Sequence, residues 1–117
     1  MWLGLDKWFA GYYAYQARSH YKGHRYGLCL HYLNALSQWD EHFLNNPMYA
    51  GYMAICHYEL KHWDNIITEV ETALFLLRRH VDDNSDAQYL WQDLKNHLTD
   101  LRNVKPQNMP FKQVGGI

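Results

Sequence analysis

Three features of the sequence predict an all-α fold of paired helices. Apolar residues recur at spacings of three and four, the period of a helix face. The two-residue alternation of a half-buried strand never persists. The chain also repeats itself. At an offset of 37, Tyr12, Tyr15, Ala17, His20 and Tyr21 fall on Tyr49, Tyr52, Ala54, His57 and Tyr58. That makes five identities in a ten-residue window, where about one is expected at ordinary residue frequencies. Self-similarity at this period is the mark of stacked supersecondary units.

The elements follow in order. A first helix is predicted over residues 6–21, with Asp6 as its N-cap. Lys22-Gly23-His24 is a turn, with Gly23 supplying the permissive backbone. A second helix is predicted over residues 25–44. Cys29, Leu33, Leu36 and Phe43 form its apolar stripe, widened by Tyr32, Ala35 and Trp39. Asn46 is an N-cap and Pro47 a first helical residue for a third helix over residues 47–60. After a turn at Lys61-His62, a fourth helix over residues 63–80 carries Ile66, Val70, Ala73 and Leu77 on one face. Arg78, Arg79 and His80 fall in its last turn, where cations suit the helix dipole.

Ser85 and Gln88 have capping-box spacing and open a fifth helix that runs to about Asn103. Its stripe is Ala87, Leu90, Trp91, Leu94, Leu98 and Leu101. Its other face is polar, with Gln92, Asp93, Lys95, Asn96 and Asp100, as suits a terminal cap. Only Tyr89 continues the repeat, at Tyr52 plus 37. Residues 1–104 are therefore read as one domain, and residues 105–117, with Pro106, Pro110 and Gly115-Gly116, as a flexible tail.

Several residues of the two hairpins resemble the tetratricopeptide-repeat family. They are Tyr13, Ala17, Gly23, Tyr26 and the Ala35-Leu36 pair in the first unit, and Ala54, Trp63 and the Ala73-Leu74 pair in the second. The resemblance implies a superhelical stack whose first helices line a concave groove. The departures are a period of 37 in the first helices, an offset of 38 between Ala35 and Ala73, and Leu60-Lys61 where the second unit should have its glycine turn.

Composition narrows the function. At 117 residues the chain holds one ordinary domain, and 48% hydrophobic residues suffice for a core. A net charge of −1 offers no electrostatic case for nucleic acid. No apolar run approaches a membrane span and the first residues do not read as a secretory signal, so the default compartment is the cytoplasm. Cys29 and Cys56 lack metal-ligand spacing and are read as buried thiols. His20, His24 and His31 lack a completing Cys or carboxylate, so no metal or other cofactor is expected. His20 and His57 recur with the repeat, which points to packing. Glu69 and Glu71 face different sides of a helix, and Ser19-His20 are in the wrong relation for a nucleophile and base, so no catalytic residue is expected.

Projecting the family geometry, the groove presents Arg18, Tyr21 and Lys22 from the first unit, with Gly11 and Ala14 between them. Met48, Gly51, Ile55, Tyr58 and Glu59 come from the second unit, and Gln88, Gln92 and Lys95 from the fifth helix. Such a surface is expected to bind a protein or peptide segment, as a small adaptor or chaperone does. The alternatives are an immunity or antitoxin-type protein that masks an enzyme, and a homo-oligomer whose groove is filled by a second copy or by Met109–Phe111 of its own tail.

Overall fold

The computed structural model describes residues 5–103, and the expected tail and its boundary lie outside them. Five α-helices run through the described residues: α1 (Leu5–Lys22), α2 (Tyr26–Leu36), α3 (Pro47–Glu59), α4 (Ile66–Leu77) and α5 (Ser85–Asn103). A single 3-10 turn, Phe43–Asn45, precedes α3. No strand occurs among the described residues. The fold is all-α: α1 pairs with α2, α3 pairs with α4, α3 also packs on α2, and α5 closes the stack against α3 and α4.

One continuous core links these layers. The stripes Cys29/Leu33/Leu36 of α2 and Ile66/Val70/Ala73/Leu77 of α4 are buried, and so are Ala87, Leu90, Leu94 and Leu101 of α5. These stripes place the repeat register at 37 in the second helices too. Cys29, Leu33 and Leu36 match Ile66, Val70 and Ala73 in burial, whereas Ala35 is only half-buried. The offset of 38 read from Ala35 and Ala73 is thus corrected.

The turn between the helices of each hairpin repeats bond for bond. His24 N–H donates to the Tyr21 carbonyl and Arg25 N–H to that of His20; Lys61 N–H donates to Tyr58 and His62 N–H to His57. These are the paired bonds of a Schellman cap. The left-handed residue is the one after Gly23, with φ of +60° at His24 and +63° at Lys61. The expected role of Gly23 is therefore corrected. It sits one residue before the strained position, which is why Leu60 can replace it in the second turn.

The second and fourth helices are shorter than expected. α2 stops at Leu36, where the Ser37 hydroxyl donates to the Asn34 carbonyl at 2.7 Å and the backbone tightens into three-residue turns. Asp40 Oδ1 then accepts the His42 N–H at 2.9 Å and redirects the chain. Trp39 is left 41% exposed, while Phe43 reaches the core from the 3-10 turn. α4 begins only at Ile66, after a turn closed by Ile66 N–H on the Trp63 carbonyl. It ends at Leu77, so Arg79 and His80 lie beyond the helix and Arg78 is its C-cap.

The N-cap of α3 stands as expected: Asn46 Oδ1 accepts the N–H groups of Met48 (2.9 Å) and Tyr49 (3.3 Å). At α5 the cap is Asn84 rather than Ser85, because Asn84 Oδ1 accepts the Ala87 N–H at 3.1 Å and Ser85 is already helical. Asp6 likewise lies inside α1.

α3 carries neighbours on every side, and Gly51 marks its tightest approach. A Cβ there would stand 2.4 Å from Leu90 Cδ2, and Leu90 is itself buried. Gly51→Val is expected to destabilise the fold by about 1–3 kcal/mol through overpacking, and to do so less than additively with Leu90→Ala, as a urea double-mutant cycle would read. Lys61→Gly relieves a left-handed residue and is expected to stabilise by roughly 1 kcal/mol, seen as a higher urea midpoint with unchanged slope.

Candidate functional site

α1 and α5 form the walls of a cleft, and α3 forms its floor. On α1, Gly11, Ala14, Arg18 and Lys22 follow at spacings of three and four and share one face. On α5, Asp86, Tyr89 and Asp93 do the same. Two adjoining hollows result. One, of about 360 Å³, lies among Gly11, Ala14, Tyr15, Arg18, Met48, Tyr49 and Tyr52. The other, of about 430 Å³, lies among Tyr21, Lys22, His24, Tyr26, Tyr89 and Asp93. Tyr52 and Asp86 border both, so the hollows meet over the floor helix.

Polar contacts cross the cleft from wall to wall. Asp86 receives Arg18 at 3.5 Å and Lys22 at 3.7 Å, all three side chains being well exposed. Exposed pairs of this kind contribute little net stability, so they exchange readily with other partners. Deeper in, the Tyr21 hydroxyl donates to Asp93 Oδ2 at 2.8 Å, and its ring lies 4.6 Å from that of Tyr52. Burial first, and then the neighbouring Asp93 carboxylate, push the Tyr21 phenol well above its ordinary value, so it stays a neutral donor. Burial and the charge of Asp86 push Tyr52 up to about 12. The cleft floor is thus a set of un-ionised phenols.

The sequence-derived groove residues are dispersed. Arg18, Tyr21, Lys22 and Met48 line the cleft. Gly51 and Ile55 do not: both are buried, because α3 is enclosed by α2, α4 and α5, and the position that carries Arg18 in the exposed first unit becomes interior, as Ile55, in the second. Tyr58 and Glu59 point instead to the far end of α5. The Tyr58 ring packs edge-on against His97 at 4.1 Å and against Trp63 at 5.5 Å. Glu59 Oε2 lies 3.0 Å from His97 Nε2. Gln92 is on the surface of α5, bonded to Asn96. Sequence reasoning missed Tyr15, Tyr49, Tyr52, Asp86 and Tyr89. The recurrence of Tyr15 as Tyr52, and of Tyr12 as Tyr49, was the available signal. Asp93, read as outward and polar, faces Tyr21.

His20 and His57, the pair related by the repeat, are both engaged in the structure. Arg25 Nε donates to His20 Nδ1 at 2.8 Å, and the His20 ring stacks on Tyr32. His57 Nδ1 donates to Glu69 Oε2 at 2.7 Å, and that bond raises the His57 pKa against the opposing effect of burial. Among the described residues, no three His, Cys, Asp or Glu side chains gather as a metal would require. Cys29 and Cys56 are free and buried, and the neighbouring Cys29, together with burial, pushes the Cys56 thiol far up. No described helix is long and apolar enough to cross a membrane. Compared with protein-family models, curated proteins and solved structures, the chain matches none.

Tyr21→Phe removes the phenol that donates to Asp93, and is expected to cost about 1–2 kcal/mol in urea unfolding while leaving the helical circular dichroism unchanged.

Proposed function

We propose that this chain is a protein-interaction module that holds a segment of a partner protein in the cleft between α1 and α5. The reading is supported by one arrangement above all: half-buried tyrosines lie beneath exchangeable charges. Tyr21 and Tyr49 flank the buried Tyr52, and over them stand Arg18, Lys22 and Asp86. Tyrosine provides contact area with few rotatable bonds and keeps a polar tip, which suits it to anchoring interfaces. Tyr89, 78% exposed, stands at the rim and can close over a bound side chain.

Binding would proceed by exchange. An apolar side chain of the partner fills the hollow over Tyr52, and a partner carboxylate takes Arg18 or Lys22 from Asp86 at little cost, because those pairs are solvent-exposed. The module does no chemistry in this reading. Its cytoplasmic placement belongs to the same proposal and is supported by two thiols left unpaired by disulfide. The stacked hairpins and their repeated turns also favour the likeness to tetratricopeptide repeats as part of this proposal.

Affinity capture from native lysate, run beside folded variants, tests it. Arg18→Glu and Tyr89→Ala are expected to lose a partner that Phe75→Ala, an exposed change on α4, retains. An identical set of bound proteins for all three variants would remove the cleft from the function.

A further inference from the structure

The internal repeat shows that, among the described residues, one helix face lacks the cover its counterparts have. In α3, Tyr49, Tyr52 and Cys56 face the preceding hairpin: Tyr52 lies against Tyr21, and the free thiol of Cys56 lies beside that of Cys29. In α5, Ala87, Leu90 and Leu94 have the same spacing and are buried, with Leu90 pressed on Gly51. Tyr52, Cys56, Leu90 and Leu94 are all 3% exposed or less. The matching positions of α1 are Tyr12, Tyr15 and Ser19. There Tyr12 is 43% and Tyr15 is 63% exposed. Trp8, stacked on Tyr12 at 5.9 Å and 61% exposed, extends the stripe by one turn, and Tyr32 of α2 meets Tyr12 edge-on beside it.

We infer that this α1 face is a homodimer interface, covered by the same face of a second copy around a two-fold axis. Three observations select that occupant. The opposite end of the stack is a poor match, because the outer side of α5 carries Gln92, Lys95, Asn96 and Thr99 around the single exposed aromatic Tyr89, a mostly polar surface set against an aromatic stripe. A head-to-tail pairing is therefore disfavoured, and a self-matching contact remains. The stripe Trp8, Tyr12, Tyr15 and Ser19 is uncharged, so two copies meet without like charges; Arg18 and Lys22 turn to the cleft and are held by Asp86. Finally, the aromatics alone supply a large part of the area. The exposed parts of Trp8, Tyr12 and Tyr15 come to on the order of 400 Å² per copy, half of the roughly 800 Å² that a standard interface takes from each partner, before their neighbours are counted. Pairing would also raise two hairpins to a four-hairpin stack, past the three units such arrays need.

Size-exclusion chromatography with light scattering on the full chain, from about 1 to about 100 µM, tests this. The expected mass is near 28 kDa, twice the 14.0 kDa of one chain, with no larger species. Trp8→Lys and Tyr12→Lys are expected to weaken the dimer at least tenfold with helical circular dichroism retained. Ser19→Arg, which adds charge to the same stripe without removing an aromatic, should act likewise and keeps the test decisive if an aromatic variant misfolds. Tyr89→Lys, in the cleft, should leave the dimer intact. A single-chain mass at all concentrations would overturn the inference. So would an open series of masses above two copies, a dimer indifferent to Trp8→Lys, Tyr12→Lys and Ser19→Arg, or one that Tyr89→Lys dissolves.

Discussion

The whole arrangement depends on how closely α3 can be approached from all sides. Gly51 lets Leu90 come to within contact of the α3 backbone, and Ala54 and Cys56 are similarly small and fully buried. Small residues at a crossing let helix axes close to the short end of the usual 8–10 Å separation. With α3 central, α5 comes near enough to α1 for Asp86 to reach Arg18 and for Asp93 to reach Tyr21. The cleft is therefore a consequence of packing at a different place, on the floor helix rather than on its walls.

The two hairpins share a backbone solution but not an environment. Their turns use the same pair of bonds, with a left-handed residue at His24 and at Lys61. A non-glycine residue in that region costs about 1 kcal/mol or more, and both turns bear it because the Schellman bonds satisfy the last carbonyls of the preceding helix. Position in the stack then separates the equivalent side chains. Tyr52 is enclosed while Tyr15 is open, and Ile55 is interior where Arg18 meets solvent. One repeated pattern thus yields core in the middle of the stack and working surface at its end.

Polar groups are arranged by depth in the same way. Among the described residues no charged side chain is fully buried, so the core itself carries no desolvated ion. The partly buried groups are bonded: Tyr21 to Asp93, His57 to Glu69, and His97 between the Asp93 carbonyl and Glu59. These bonds tie α1 to α5, α3 to α4 and α3 to α5, and fix the relative placement of the layers that apolar contact alone leaves free to slide.

Periodicity and the 37-residue repeat determined the helical class, the two hairpins, the α3 cap at Asn46 and the core stripes of α2, α4 and α5, because these follow from local spacing and from side chains that bond their own neighbours. The ends of α2 and α4 were not legible, since the apolar pattern runs on through Trp39 and Phe43 after the backbone has turned at Ser37 and Asp40. The cleft was legible only in part. Arg18, Tyr21, Lys22 and Met48 could be projected from one helix face. The burial of Ile55, the turning of Tyr58 and Glu59 towards His97, and the meeting of Tyr52 with Asp86 required knowing which layer lies against which. A sequence specifies the face a residue takes on its own helix; what stands opposite that face is decided only when the helices pack.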